Sequence, residues 1–350
     1  MRLDTEAENE RESSPEVAEK LSVLMDVFGG PTLARTMQTA MRLGFFEALA
    51  ERPMTAVDLA RHLETGPRAT AAVLDVLATT DYVTRVDGVY ALTELGRTSV
   101  LGLGIEGGMG FVNFLVIGRL EWKWHGHLEH FVRTDEAVDI HTTMTAEEWQ
   151  IYETAFLAAN KPMEPMMVEH ARLPKGARSL LDIGGGHGFV STVLCRAYPD
   201  LRAVVLDLPG AIAAAGPLLA SESKDLDGRV VLRAGDALTM DLGVAEYDVV
   251  LLWSIVHLLT RAQNLDLVKR AARALRPGGH LVITDAFANP HPSRDGETMG
   301  CLHLLMGLIC ASGLWTVDEL MSWPREAGLV TTPGDQLTSI GGAIYATKPL

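Results

Sequence analysis

"LLDIGGGHGFVSTVLCRAYPDLRAVVLDLP", Leu180 to Pro209, sets an apolar run ending in an aspartate directly against three consecutive glycines. A stretch with helical spacing follows, then a second apolar run that again closes on an acid, Asp207. Two short β-branched runs joined by a helix predict a βαβ unit of a parallel sheet. The glycines between strand and helix leave backbone amides bare at the sheet's carboxyl edge, where a ligand can come close.

The same rhythm continues downstream. "RSLLDIG", "RAVVLDL", "RVVLRAGD", "YDVVLLWS" and "HLVITDA" are five candidate strands, with helical segments between the first three and between the last two. Their near-continuous apolar character fits a sheet covered on both faces. The fold class is therefore α/β, a Rossmann-like doubly wound domain over residues 175–350. After Leu329, "LVTTPGDQLTS" and "GAIYATKP" predict an antiparallel C-terminal hairpin at its edge.

Upstream, residues 1–14 are polar and are expected to form a disordered tail. Residues 15–100 read as a mainly α, winged-helix-like domain. Gly29-Gly30-Pro31 is expected to break two helices, Thr55 to cap a third, Gly66-Pro67 to turn into a fourth, and Asp87-Gly88 to tip a hairpin. Residues 101–174 are mainly helical, a linker and pocket lid that ends where Pro174 and Gly176 punctuate the chain.

Bulk properties narrow the function. The 350 residues, 47% of them apolar, suit two domains. A net charge of −15 argues against nucleic acid, and the would-be recognition helix "GPRATAAVLDVLATTDYV" offers one Arg and no Lys. The winged-helix region therefore reads as a scaffold or dimerisation module. Cys195, Cys301 and Cys310 form no CxxC pair, and no stretch reaches eighteen uninterrupted apolar residues, so a cytoplasmic protein without membrane contact is expected.

A dinucleotide would also use a glycine-rich loop. Here an aspartate precedes the glycines, the spacing is not GxGxxG, and a second acid ends the next strand. A cationic ligand carrying a ribose fits better.

On these residues the chain resembles the class I S-adenosylmethionine-dependent methyltransferases, within them the small-molecule O-methyltransferases of plant and bacterial secondary metabolism that carry a winged-helix dimerisation domain. The resemblance spans nearly the whole chain and implies a homodimer formed through the N-terminal domain. It places the methionyl part of the cofactor on Asp182, Gly184, Gly185, Gly186 and Gly188, and the ribose on Asp207 with Leu208. Adenine falls to Gly235, Asp236 and Ala237, with Met240 as further lining, and Trp253 and Ser254 complete the set. The family's general base falls on His257 in "LLWSIVHLLTRAQ", where an imidazole would take the acceptor's proton.

Two family positions differ. The acid beside the base is Leu258 and the following tryptophan Leu259; a distant glutamate-arginine pair is replaced by Leu314 and Trp315 in "SGLWTVDE", with Asp318 and Glu319 out of register. Three readings follow: an O-methyltransferase of a small, largely apolar, aromatic or polyketide-like acceptor with His257 as base; a metal-assisted C-methyltransferase using His257 and His303; or a protein that binds the cofactor without methylating. The acceptor pocket is assigned to Trp149, Phe156, Met163, Met167, Met299, His303 and Met306. His187 reads as polar filler of the glycine loop. His125, His127 and His130 read as helical, which separates an HxH pair, so no metal is assigned.

Overall fold

The computed structural model describes residues 15–101, 117–288, 294–332, 336–338 and 341–350, with backbone alone for 15–28, 294–299 and 336–338. The chain divides into two compact units, Met1–Gly104 and Ile105–Leu350.

In the first unit, helix α1 (Pro15–Arg42) runs through Gly29, Gly30 and Pro31 without a break. A Cβ at either glycine would meet nothing within 4 Å, and Pro31, which forgoes the hydrogen bond of its own nitrogen and crowds the carbonyl one turn back, is carried inside the helix. The expected break falls instead at Leu43-Gly44, where Gly44 takes φ 78° before α2 (Phe45–Glu51). A short strand β1 (Met54–Thr55) leads into α3 (Ala56–His62), whose first turn is capped by the Thr55 hydroxyl accepting from Asp58 N–H. Pro67 opens α4 (Pro67–Leu77). The hairpin β2 (Val83–Val86) and β3 (Val89–Leu92) turns on Asp87 and Gly88, both at positive φ as a two-residue loop demands. The three strands pair in the order β1-β3-β2, the winged-helix outline expected from the sequence.

In the second unit, the described residues ahead of the sheet begin with α5 (Gly118–His125), α6 (Leu128–Thr134), the single turn α7 (Ile140–Thr143) and α8 (Ala146–Asn160). Thr145 and Glu148 form a reciprocal capping box that starts α8. A 3₁₀ turn, Lys161–Met163, joins it to α9 (Glu164–Ala171). Then come β4 (Ser179–Ile183), α10 (Phe189–Ala197), β5 (Arg202–Asp207), α11 (Pro209–Glu222), β6 (Val230–Ala234), β7 (Tyr247–Trp253), α12 (Arg261–Ala274) and β8 (Leu275–Ala286). After α13 (Arg294–Cys310) and α14 (Val317–Glu326), the chain closes with β9 (Val330–Thr332), β10 (Gln336–Thr338) and β11 (Gly341–Thr347).

The sheet runs β10-β11-β8-β7-β4-β5-β6, with β9 also on β11. The five strands read from the sequence are parallel, and β11 is antiparallel to β8 in an unbroken register from Gly341 opposite Ala286 to Thr347 opposite His280. The expected hairpin is therefore present, with its second arm next to the parallel strands and its first arm, in two pieces, outside. Strand residues alternate between two cores. Leu180, Val205, Val249 and Leu251 face α9, α10 and α11; Leu181, Ile183, Val250 and Leu252 face α12 and α14. With both faces buried, the carboxyl edge is where the sheet can meet a ligand. Among the described residues no helix is long and apolar enough to cross a membrane.

Candidate active site

A cavity of about 800 Å³ opens at that carboxyl edge. Strand ends deliver acids to it one after another: Asp182 from β4, Asp207 from β5, and Asp236 just past β6. Asp182 is fully buried; its Oδ2 accepts from the Ser191 hydroxyl at 2.7 Å, and its Oδ1 has no partner. Burial pushes its carboxyl up to about 6, with the Asp207 charge adding to the rise. Asp207 accepts Gly186 N–H at 2.8 Å and Leu208 N–H at 2.7 Å, one on each oxygen, and burial lifts it too. Asp236 accepts from Leu238 N–H at 2.8 Å.

The glycine loop is shaped by what surrounds it. Gly184 and Gly186 sit at φ 70° and 49°; a Cβ on Gly184 would lie 2.3 Å from Ile255, and one on Gly185 2.6 Å from the Asp182 carboxyl. Gly184, Gly185, Gly186, Leu208, Gly235, Ala237, Trp253 and Ser254 all line the cavity. Gly188 does not: it takes φ 72° as the cap of α10, and its freedom serves the turn. Met240 packs against Gly235 and the sheet core. His187 is buried, and its Nδ1 accepts from Phe189 N–H at 3.1 Å while Nε2 faces Asn160 at 3.2 Å. Burial brings it down to about 4, so it is a neutral part of the loop's frame.

Past β7, Ser254 takes a left-handed backbone at φ 56° and turns the chain into a 3₁₀ turn, Val256–Leu258. This turn carries His257 to the cavity wall. Its Nδ1 lies 2.6 Å from Asp285 Oδ1, and its backbone N–H reaches Asp285 Oδ2 at 3.3 Å. Asp285 ends β8 and is 1% exposed. A carboxylate only accepts, so the neutral ring carries its proton on Nδ1 and keeps the Nε2 lone pair free. The turn is held by Trp315 Nε1 and Asn264 Nδ2, both donating to Val256 O, and by the Ser312 hydroxyl donating to His257 O. Sequence reasoning looked for an acid at Leu258 or Leu314 and missed Asp285. The signal was there: "HLVITDA" closes a strand on an acid, as Asp182 and Asp207 do.

A further stretch of wall comes from α8 and α7. Trp149, Tyr152, Glu153, Phe156 and Asn160 recur at helical spacing and all line the cavity, as does His141. Glu153 is 3% exposed, and burial with the nearby Asp207 raises its carboxyl well above the ordinary range. Burial lowers the His141 imidazole to about 4. Cys310 Sγ lies 3.7 Å from His141 Nδ1 and completes this side.

Several expected pocket residues belong elsewhere. Met167 is fully buried in the core under α9 and α10, Met163 packs against that same core, and Met306 is buried with Ile117, Leu120 and Trp124. Their helical spacing points them at cores, the commoner fate of an apolar stripe. His303 is exposed on α13, with its Nδ1 accepting from Leu314 N–H at 3.1 Å, and it does not line the cavity. His303 thus stands outside the lining of the cavity that His257 faces. The Met299 side chain lies outside the described residues. His125 closes α5, His127 precedes α6 and His130 bonds Glu136 at 3.1 Å; among the described residues no three metal-ligating side chains converge.

Residues 134–315 match the model of the O-methyltransferase domain, and residues 25–101 that of the O-methyltransferase dimerisation domain. The chain belongs to the S-adenosylmethionine-dependent O-methyltransferase family. Among O-methyltransferases it is 25% identical over 341 residues to the 3-hydroxy-5-methyl-1-naphthoate 3-O-methyltransferase of Streptomyces sahachiroi, covering 88% of this chain and 89% of that one. It is 28% identical over 273 residues to the 3-amino-4-hydroxybenzoate 4-O-methyltransferase of Streptomyces cremeus, covering 75% and 72%. The fold is shared with human N-acetylserotonin methyltransferase in complex with S-adenosylmethionine, at 20% identity and TM-score 0.80 over 97% of this chain and 99% of that one. This O-methyltransferase fits its cofactor by the orphaned Asp182 Oδ1, an acceptor for an ammonium donor, and by a loop whose glycines leave no room for side chains.

Proposed function

We propose that this O-methyltransferase methylates a hydroxyl of a small, largely apolar aromatic or polyketide-like metabolite, with His257 as general base and Asp285 as the residue that positions it. The observation that carries this reading is the 2.6 Å contact between His257 Nδ1 and Asp285 Oδ1 at the wall of the cavity that also receives Asp182 and Asp207. Relatives named for a hydroxynaphthoate and a hydroxybenzoate support the aromatic class.

When bound, S-adenosylmethionine supplies an electrophilic methyl group on a sulfonium. The protein's own groups do the rest. Asp182 Oδ1 accepts from the ammonium, Asp207 from the ribose hydroxyls through its remaining lone pairs, and Asp236 from the adenine amine. His257 Nε2 takes the proton of the acceptor hydroxyl, and Asp285 stabilises the imidazolium that results. Trp149, Tyr152 and Phe156 exclude water and align the acceptor ring, so that orientation contributes a large share of the rate. The match of residues 25–101 supports a homodimer, and three free cysteines support a reducing, cytoplasmic setting.

His257→Ala is expected to lower kcat about 10²–10⁴-fold on a methylated phenol while calorimetry finds the S-adenosylmethionine Kd within about twofold of the parent. Unchanged turnover in that variant would remove the base assignment. A loss of cofactor affinity alongside would mean that the turn is structural.

A further inference from the structure

Two imidazoles, His257 and His141, line one end of the cavity, and only His257 has a part in the reaction above. We infer that His141 fixes a second oxygen of the acceptor: the substrate is a phenol that also carries a carbonyl, a hydroxyaryl ketone or quinone, and His141 Nε2–H donates to that carbonyl. The inference rests on the methyl-transfer reading, with His257 at the hydroxyl.

The first ground is the placement of the two rings. Cys310 Sγ lies 3.7 Å from His141 Nδ1, and the Ser312 hydroxyl donates to the His257 carbonyl. Ala311, at φ 54°, joins them and lines the cavity along with Cys310, His141 and His257. Two residue steps reach at most about 7 Å, so one short segment ties both histidines to the same end of the cavity. Helix α7 is anchored to α13 by Val138 N–H donating to Leu308 O at 2.8 Å and by the fully buried Ile140 packing in the same core as Leu308. The His141 ring is flanked by Trp149, with centroids 5.8 Å apart, and by Tyr152, edge-on at 6.1 Å. It is held in place before any acceptor arrives.

The second ground is which atoms are already used. Nδ1 faces the thiol, whereas Nε2 has no hydrogen-bond partner among the described residues and is not one of the polar atoms sealed from solvent. Burial brings the ring down to about 4, so it is neutral, with one N–H and one lone pair. Burial also drives the Cys310 thiol up to about 12, so the sulfur keeps its proton. An imidazole lone pair is a better acceptor than a thiol sulfur; S–H therefore donates to Nδ1, and the ring proton sits on Nε2. His257 is the reverse case, since Asp285 holds its proton on Nδ1 and leaves the Nε2 lone pair open.

The third ground is what the two rings do together. The lone pair of His257 takes the proton of a hydroxyl, and the N–H of His141 calls for an oxygen lone pair. A carbonyl supplies one without a competing proton, and by drawing electrons from the aromatic ring it acidifies the phenol that His257 deprotonates. An acceptor lacking that oxygen leaves the His141 donor stripped of water and unpaired, a cost that falls on binding.

The test uses the full-length protein saturated with S-adenosylhomocysteine and a panel of hydroxytetralones, the hydroxyl at each aromatic position in turn. Each is paired with the hydroxytetralin that has a methylene group in place of the carbonyl. Calorimetry at pH 7.5 should find at least one ketone bound tenfold or more tightly than its methylene partner. His141→Phe keeps a flat ring between Trp149 and Tyr152 and loses the donor; ketone and partner should then bind within about twofold of each other. His141→Leu makes the same comparison if the phenylalanine variant does not fold. His141→Gln puts back an N–H at similar reach and should return part of the preference. A preference below tenfold for every ketone in the parent, one that survives loss of the donor, or no recovery in His141→Gln overturns the inference. Turnover is read separately with S-adenosylmethionine. A ketone preference that follows these substitutions, with no methylated product on mass spectrometry from any member of the panel, would sink the methyl-transfer reading and leave His141 as assigned. Methylation without a ketone preference would do the reverse.

Discussion

At the scale of single residues, the site holds three acids almost wholly out of contact with water, Glu153, Asp182 and Asp285. Asp182 is the sharpest case, since burial raises its carboxyl to about 6 and one of its oxygens has no partner. A raised carboxyl adds stability to the free protein below its unfolded value near 4, and that contribution is lost as pH rises through about 6. Cofactor binding runs the other way, because the ammonium needs the ionised form. His141 and His187, brought down to about 4, lose their contribution as pH falls from about 6.5 towards 4, and Asp182→Asn keeps both, so that variant separates their share from that of Asp182. At one fixed S-adenosylmethionine concentration, the cofactor-induced rise in Tm is therefore expected to be larger at pH 7.5 than at pH 5, and Asp182→Asn should flatten that dependence. A pH-independent rise in the parent would show that Asp182 does not face the ammonium. Strand-end acids were legible in the sequence because an acid closing an apolar run has few structural uses. Asp285 belonged to the same class and went unread because the acid was sought next to His257 in sequence, whereas the sheet brings β7 and β8 side by side. The methionines failed for the opposite reason: Met163, Met167 and Met306 look alike in sequence, and only packing separates a cavity wall from a core.

At the scale of elements, the βα turn after β4 and the helix α8 decide the site between them. The glycines of that turn are spaced against specific neighbours. Gly185→Ala would set a methyl group 2.6 Å from the Asp182 carboxyl and 2.8 Å from Val205, both fixed within the sheet. Calorimetry should find S-adenosylmethionine affinity reduced at least tenfold, about 1.4 kcal/mol. Gly216→Ala is the control: it sits in α11 with nothing within 4 Å of an added Cβ, and should stabilise by up to about 1 kcal/mol with the Kd unchanged. If the two variants bind the cofactor equally well, the loop does not shape its site. The β-branched rhythm made every parallel strand legible. Helix α1 was less so, because Gly-Gly-Pro reads as a stop by composition, while a helix stops only where its hydrogen bonds end, here at Gly44. The cavity face of α8 was half legible: Trp149 and Phe156 stand out as aromatics, but Glu153 and Asn160 gain their meaning only from the strand ends they face.

At the scale of the whole molecule, one family signature spans residues 25–101 and another 134–315, and the two make different predictions about partners. Light scattering is expected to give about twice 37.9 kDa for the chain, and duplex DNA at physiological salt to show no binding, since a chain of net charge −15 is poorly suited to displace the counterions of DNA. A monomer would remove the dimer, and tight sequence-selective DNA binding would restore a regulator. The order of the strands in the sheet also has a consequence for synthesis. Strand β11 bonds β8 along its whole length, yet everything from Phe287 to Ile340 is translated between them. While that stretch emerges from the ribosome, the nascent sheet carries β8 as an open apolar edge, a template for any passing strand. Pausing of translation within α13 or α14 would lengthen that exposure, and the yield of soluble protein would then depend on elongation speed over codons far from any residue of the catalytic cavity.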